Sequence, residues 1–376
     1  MIFSLKEGGM TKILAAFNVR HVLIASLFVM FAAFGASLAS ADVRGPDPKK
    51  PDLQYLNEDS NFWKKIRHGQ EGRGGQLIQS QGEDWRLLRN GPLLQYTATG
   101  LGAMVGLLAL FFLIRGRIRI EHGWSGFTIE RFNMPERMGH WILAVSFIIL
   151  GLTGLNVSFG KHVLMPVLGK ELFATISIGA KYLHNYVAFA FILGLVWVFV
   201  AWIKDNFPRS ADINWVKKGG GLFAKGVHPP AHKFNAGQKL IFWSVILTGI
   251  SISLSGWALL FPFETQMFAK TFWIINGVVG TTLPTELTAI QEQQYAVTWH
   301  NIMAIFMICI ILAHIYIGSM GMEGAFDAMG SGRVDLNWTK EHHSLWVEKL
   351  EAEDKLDKQP DEARASDSAA KAQPAE

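Results

Sequence analysis

The apolar positions of this 376-residue chain gather into long unbroken runs instead of the alternating patterns of half-buried strands. Five runs, at 94–114, 138–159, 181–203, 239–262 and 296–319, are each long enough to cross a hydrocarbon core of about 30 Å. They predict an all-α integral membrane protein. A shorter run, Val22 to Phe34, follows Lys6, Lys12 and Arg20 and precedes the small residues Ala39 and Ala41. That order reads as a secretory signal peptide, 1–41, with a retained membrane anchor as the rival reading. An exported polar segment follows at 42–93, within which N-F-W-K-K-I-R-H-G-Q and D-W-R-L-L-R-N-G predict short interfacial or partner-binding helices. The tail 348–376 is charged, Ala-rich and short of apolar residues, which predicts disorder.

Charge fixes the expected orientation. Loop 115–137 carries five Lys or Arg and 204–239 carries seven, whereas 160–181 has three and 263–295 has only Lys270. The positive-inside rule puts the first two loops in the cytoplasm. The mature N-terminus is then periplasmic and the C-terminus cytoplasmic, in a bacterial inner membrane. The net charge of +4 reports this topology and not nucleic-acid binding, since no basic strip interleaved with aromatics occurs. The single cysteine, Cys309, excludes an internal disulfide, a four-cysteine iron–sulfur cluster and covalent C-x-x-C-H haem attachment.

Four of the twelve histidines fall inside spans: His140, His184, His300 and His314. With the topology above, His140 and His314 share the cytoplasmic level, and His184 and His300 share the outer one, three or four residues inside their helix ends. Fourteen helical residues advance about 21 Å and return to within about 40° of the starting direction. His300 and His314 therefore share one face of one helix at two depths. Two imidazoles from different helices, facing each other at each level, suit bis-histidine ligation of two haem b groups. Zinc or copper would want three or four ligands at one depth. A lone intramembrane histidine is more often a hydrogen-bonding or proton-relay residue, so a haem-free proton-coupled transporter or passive anchor is the competing class.

The segments G-H-W-I-L-A-V, K-Y-L-H-N-Y-V-A-F, H-K-F-N-A-G-Q-K and the stretch from His300 through K-E-H-H-S-L-W resemble the membrane cytochrome b (gamma) subunit of respiratory formate dehydrogenases over roughly 130–347. The resemblance implies a transmembrane four-helix haem-binding bundle, here with an additional N-terminal transmembrane helix at 94–114. It also implies His184 with His300 and His140 with His314 as axial ligand pairs. A quinone is expected at the N-A-G-Q-K loop, at Asn235, Gly237 and Gln238, where a polar side chain and backbone N–H groups suit a carbonyl oxygen. The same loop also reads as a cap opening a helix. Implied partners are an alpha subunit with molybdenum or tungsten pterin and an iron–sulfur beta subunit, both outside the membrane.

Arg137, one turn from His140, is a candidate partner for a haem propionate, or a topology residue only. His228, His232, His342 and His343 are expected at the surface of cytoplasmic loops, with His232 a possible proton relay. Gly151, Gly154, Gly249 and Gly256 would let a macrocycle or a helix approach the backbone. A cytochrome serving a hydrogenase or thiosulfate reductase shares this architecture and is the nearest alternative.

Overall fold

The computed structural model of the protein describes residues 82–261 and 264–361. The expected signal peptide, most of the exported segment and the tail from 362 onward lie outside the described residues. Among the described residues, five helices are long and apolar enough to cross a membrane. Their cores are α1 (Leu94–Arg115), α2 (Met134–Val163), α3 (Lys170–Trp202), α4 (Ala236–Leu260) and α5 (Ala289–Tyr316). The all-α membrane expectation is borne out.

The helices overrun the apolar stretches because polar caps sit beyond them. Asn235 opens α4 by accepting a hydrogen bond from the Gln238 N–H at 2.9 Å, and Gln238 Oε1 accepts from the Asn235 N–H at 3.1 Å. Thr288 and Gln291 make the same reciprocal box at the start of α5. Such boxes satisfy two of the N–H groups that a helix start leaves without partners. Both α3 and α5 begin well before His184 and His300, which lie deeper along their helices than the apolar limits suggest.

The described residues divide into two compact units, one holding those up to 109 with 159–173 and the other 110–158 with those from 174 onward. In the first, a helix Gly82–Leu88 and a π-helical turn Arg89–Leu93, bent around Pro92, lead into α1. A short helix Met165–Leu168 ends at Gly169, whose φ of 78° favours a residue without Cβ. In the second, α4 and α5 form the most extensively packed pair. Gly194 on α3 meets α2 so closely that a Cβ there would stand 2.7 Å from the backbone nitrogen of Leu143. Small residues at such crossings let backbones approach without lipid between them. The end of α1 joins this unit through Phe111 and Phe112, whose rings lie 6.1 and 6.3 Å from Tyr316 on α5.

One end of the bundle carries a compact polar cap. β1 (Phe127–Glu130) pairs antiparallel with both β2 (Arg333–Asp335) and β3 (Gln359–Pro360), in the order β2-β1-β3. Ile129 and Val334 point inward and are fully buried. Asp335 caps the helix Leu336–His342 by accepting from the N–H groups of Asn337 and Trp338. Beyond it runs the helix Ser344–Ala352.

This cap corrects one expectation. The first part of the tail is ordered: Trp346 and Val347 seat the last helix in the core and β3 extends the sheet, so the sparse apolar residues of 348–361 suffice where pairing with β1 satisfies the backbone. Loop 263–295 contains a helix, Met267–Val279, whose first N–H groups, of Phe268 and Ala269, donate to buried Glu292 at 2.9 and 2.7 Å. At thirteen residues it is too short to span, and Trp273 and Val278 stand exposed on it.

Candidate haem-binding site

The structure brings the four span histidines together in two pairs. The ring centroids of His140 (α2) and His314 (α5) are 6.2 Å apart, and those of His184 (α3) and His300 (α5) 6.3 Å apart. A first-row metal binds an imidazole nitrogen at about 2.0–2.1 Å, and that nitrogen lies about 1.1 Å from the ring centre, so trans imidazoles on one ion have centroids roughly 6.3 Å apart. Both pairs match that spacing. They sit at separate levels, because His300 and His314 are four turns apart on one helix. No cluster of three or more His, Cys, Asp or Glu suited to a metal ion occurs among the described residues. The donor set therefore fits a metal carried by its own macrocycle better than a protein-caged ion.

The surroundings of the His184 and His300 pair are built alike on both sides. Thr153 Oγ1 lies 2.8 Å from His184 Nδ1, and Ser255 Oγ lies 3.0 Å from His300 Nδ1. In each case the next residue is glycine. A Cβ on Gly154 would stand 3.5 Å from Cε1 of His184, and one on Gly256 3.4 Å from Cε1 of His300. Gly151 and Gly249 do not approach a ring; Gly249 abuts Leu195. His140 Nδ1, at the other level, is buried without a protein hydrogen-bond partner.

Arg137 is placed elsewhere than expected. Its Nε donates to the Met329 carbonyl at 3.3 Å, Nη1 to Ser331 at 2.8 Å and Nη2 to Gly330. A planar guanidinium forks naturally onto the converging carbonyls that end the short helix Asp327–Gly330. That use directs these donors at the cap.

The N-A-G-Q-K loop connects to the His140 level through aromatic rings. The Phe234 ring lies 5.5 Å from that of Trp202, tilted by 55°, and the Trp202 ring lies 6.3 Å from that of His140. Here the helix-capping reading of Asn235 and Gln238 is what the structure shows. Because both side-chain oxygens face backbone N–H groups, the planar amides turn their NH₂ donors the other way. Gly237 packs under Trp215, which a Cβ would approach to 2.7 Å. Gln238 Oε1 also accepts from Arg131 Nη2 at 3.2 Å. Arg131 is buried beneath Phe132 and Trp338, and desolvation lowers its pKa to about 9, opposed by Glu136.

The loop histidines are the clearest misreading. His343 has no exposed surface, packs tilted against Trp338 and donates Nδ1–H to the His232 carbonyl at 2.6 Å. Burial, then the Arg131 charge, holds its pKa well below the usual histidine range. His342 packs against Trp338 and His228, and burial lowers it to about 4. His228 sits 2.9 Å from Glu121, and His122 pairs with buried Glu341 at 2.8 Å. K-E-H-H forms the end of a helix pressed into the cap, which hydrophilicity alone did not reveal. Thr153 and Ser255 were also missed, since hydroxyls are common in apolar helices. Their shared neighbour, a glycine one residue on, was the available signal.

A multi-pass helical bundle with histidine pairs at two levels is the arrangement of a haem-binding membrane cytochrome. The chain belongs to the prokaryotic cytochrome b561 family, whose sequence profile matches residues 131–332. It is similar to the cytochrome b556(fdo) subunit of formate dehydrogenase from Escherichia coli K12, 27% identical over 224 residues that cover 59% of this chain and 93% of that protein. The cytochrome b556(Fdn) subunit of the nitrate-inducible formate dehydrogenase of the same strain is 26% identical over 227 residues, 59% and 92% of the two chains. A probable Ni/Fe-hydrogenase B-type cytochrome subunit from Azotobacter chroococcum is 21% identical over 210 residues, 50% and 79%.

Proposed function

We propose that this chain is the di-haem cytochrome b subunit of a formate dehydrogenase complex, carrying electrons from periplasmic formate oxidation across the membrane to quinone. The observation that carries the reading is the pair of 6.2 and 6.3 Å imidazole separations at two levels on shared helix α5. His184 with His300 would hold one haem b and His140 with His314 the other. Haem b, when bound, supplies a one-electron ferric/ferrous couple.

The chain's own residues do the rest. The Trp202–Phe234 contact brings the N-A-G-Q-K loop beside the His140 level. There the NH₂ groups of Asn235 and Gln238, with N–H groups of the first turn of α4 near Gly237, suit the carbonyl oxygens of a quinone head. The Lys and Arg excess of loops 115–137 and 204–239 supports a cytoplasmic position for this end. Protons for the quinone would then come from the cytoplasm, while formate releases its proton outside. An iron–sulfur beta subunit and a molybdenum or tungsten pterin alpha subunit would dock at the opposite end.

The formate donor rests on the greater identity and coverage of the formate dehydrogenase relatives over the hydrogenase one. Difference spectra of native membranes, with formate added before dithionite, test it. Formate should reduce a haem b fraction that requires this chain, and His184→Ala and His314→Ala should each remove half of that fraction. Haem reduced by dithionite or hydrogen but not by formate would reassign the donor. Membranes without chain-dependent haem would overturn the cytochrome reading.

A further inference from the structure

Hydroxyl groups in apolar helices commonly bond back to the preceding turn, and Ser146 does so here with no imidazole beside it. Thr153 and Ser255 differ. Thr153 Oγ1 donates to the Ile149 carbonyl at 2.8 Å, and Ser255 Oγ to the Ile252 carbonyl at 3.0 Å. A hydroxyl has one proton, so each oxygen faces its histidine Nδ1 as an acceptor. With the hydroxyl proton given to the carbonyl, this pairing assigns the ring proton of His184 and of His300 to Nδ1 and leaves Nε2 of both rings with a free lone pair. Thr153 and Ser255 are both buried, so bulk water does not compete for these bonds. The glycine that follows each hydroxyl leaves room at Cε1 for the ring to sit flush on the helix.

Resting on the reading of His184 and His300 as a haem ligand pair, we propose that Thr153 and Ser255 are positioning residues that fix the tautomer and orientation of those imidazoles and lower the potential of the haem they hold. A ligand imidazole that donates its remote N–H is more basic, and greater basicity stabilises the ferric over the ferrous state. At the other level His140 Nδ1 has no such protein acceptor. One helix supplies each ligand and a different helix its acceptor.

The test is a potentiometric titration of the haem b absorbance in native membranes containing the whole complex, with haem content measured alongside. Thr153→Val and Ser255→Ala should raise one of two midpoint potentials, changing the ferric-to-ferrous ratio up to about tenfold, ~59 mV for a one-electron couple. The other component should stay fixed, Ser146→Ala should move neither, and Thr153→Ser should restore the native value. If Thr153→Val loses a haem while Thr153→Ser keeps both at native potentials, the hydroxyl is again required. Full haem content with unmoved potentials overturns the proposal, as does equal movement of both components or loss of haem in Thr153→Ser. An unmutated protein without haem would instead refute the ligand reading itself.

Discussion

Asn235 and Gln238 hold each other at the start of α4, each side-chain oxygen taking the other's backbone N–H at 2.9 and 3.1 Å. Capping and quinone binding can therefore be separated by one substitution. Aspartate caps as well as asparagine and adds a favourable charge at a helix N-terminus, but has no NH₂ to donate. Asn235→Asp should keep the native melting temperature and slow quinone reduction at least several-fold, whereas Asn235→Ala should also cost about 1 kcal/mol of stability. Equal quinone reduction by Asn235→Asp and the native protein would reduce Asn235 to a cap.

The glycines beside the His184 and His300 pair give a graded prediction. A methyl on Gly154 meets His184 Cε1 at an ordinary contact distance, so Gly154→Ala should retain haem. Gly154→Leu has to push the ring aside, and haem content should fall by half. Pyridine haemochrome assay of purified protein measures both.

Removing the Arg137 fork leaves the carbonyls of Met329, Gly330 and Ser331 without these donors. Arg137→Ala should destabilise the polar cap by about 1–3 kcal/mol, seen as faster amide exchange in 327–335, with haem content unchanged. A lost or shifted haem signal with native exchange would return Arg137 to the haem.

The acid limb of stability should trace to the buried cap histidines. His342, at about 4, and His343, well below its usual value, bind fewer protons folded than unfolded between those values and about 6.5. Stability then rises with pH across that window and is lost as pH falls through it. Glu341, whose pKa is lowered by His122 and nearby N–H groups against desolvation, loses its contribution below about 4.5, in the same direction. Melting curves from pH 7 to 4 should drop steeply, and His343→Phe should flatten the decline.

The spans, the histidine levels and the pairings were legible because each depends on periodicity and depth along single helices, which one sequence carries. What escaped depends on contacts between distant segments. β3 gains its order from pairing with β1 more than two hundred residues earlier, and His343 is buried by Trp338 and the His232 loop. The fork made by Arg137 escaped for the same reason: nearness to His140 along α2 said nothing of the carbonyls brought in by residues 329–331.

The Thr153–Gly154 and Ser255–Gly256 steps lie on α2 and α4, while the rings they support lie on α3 and α5. A ligand seated between those rings would thus rivet four separate strokes of the chain through a single joint. Anything that binds the assembled state alone stabilises it by mass action. Cofactor supply would then govern whether the polypeptide survives insertion as well as whether it conducts.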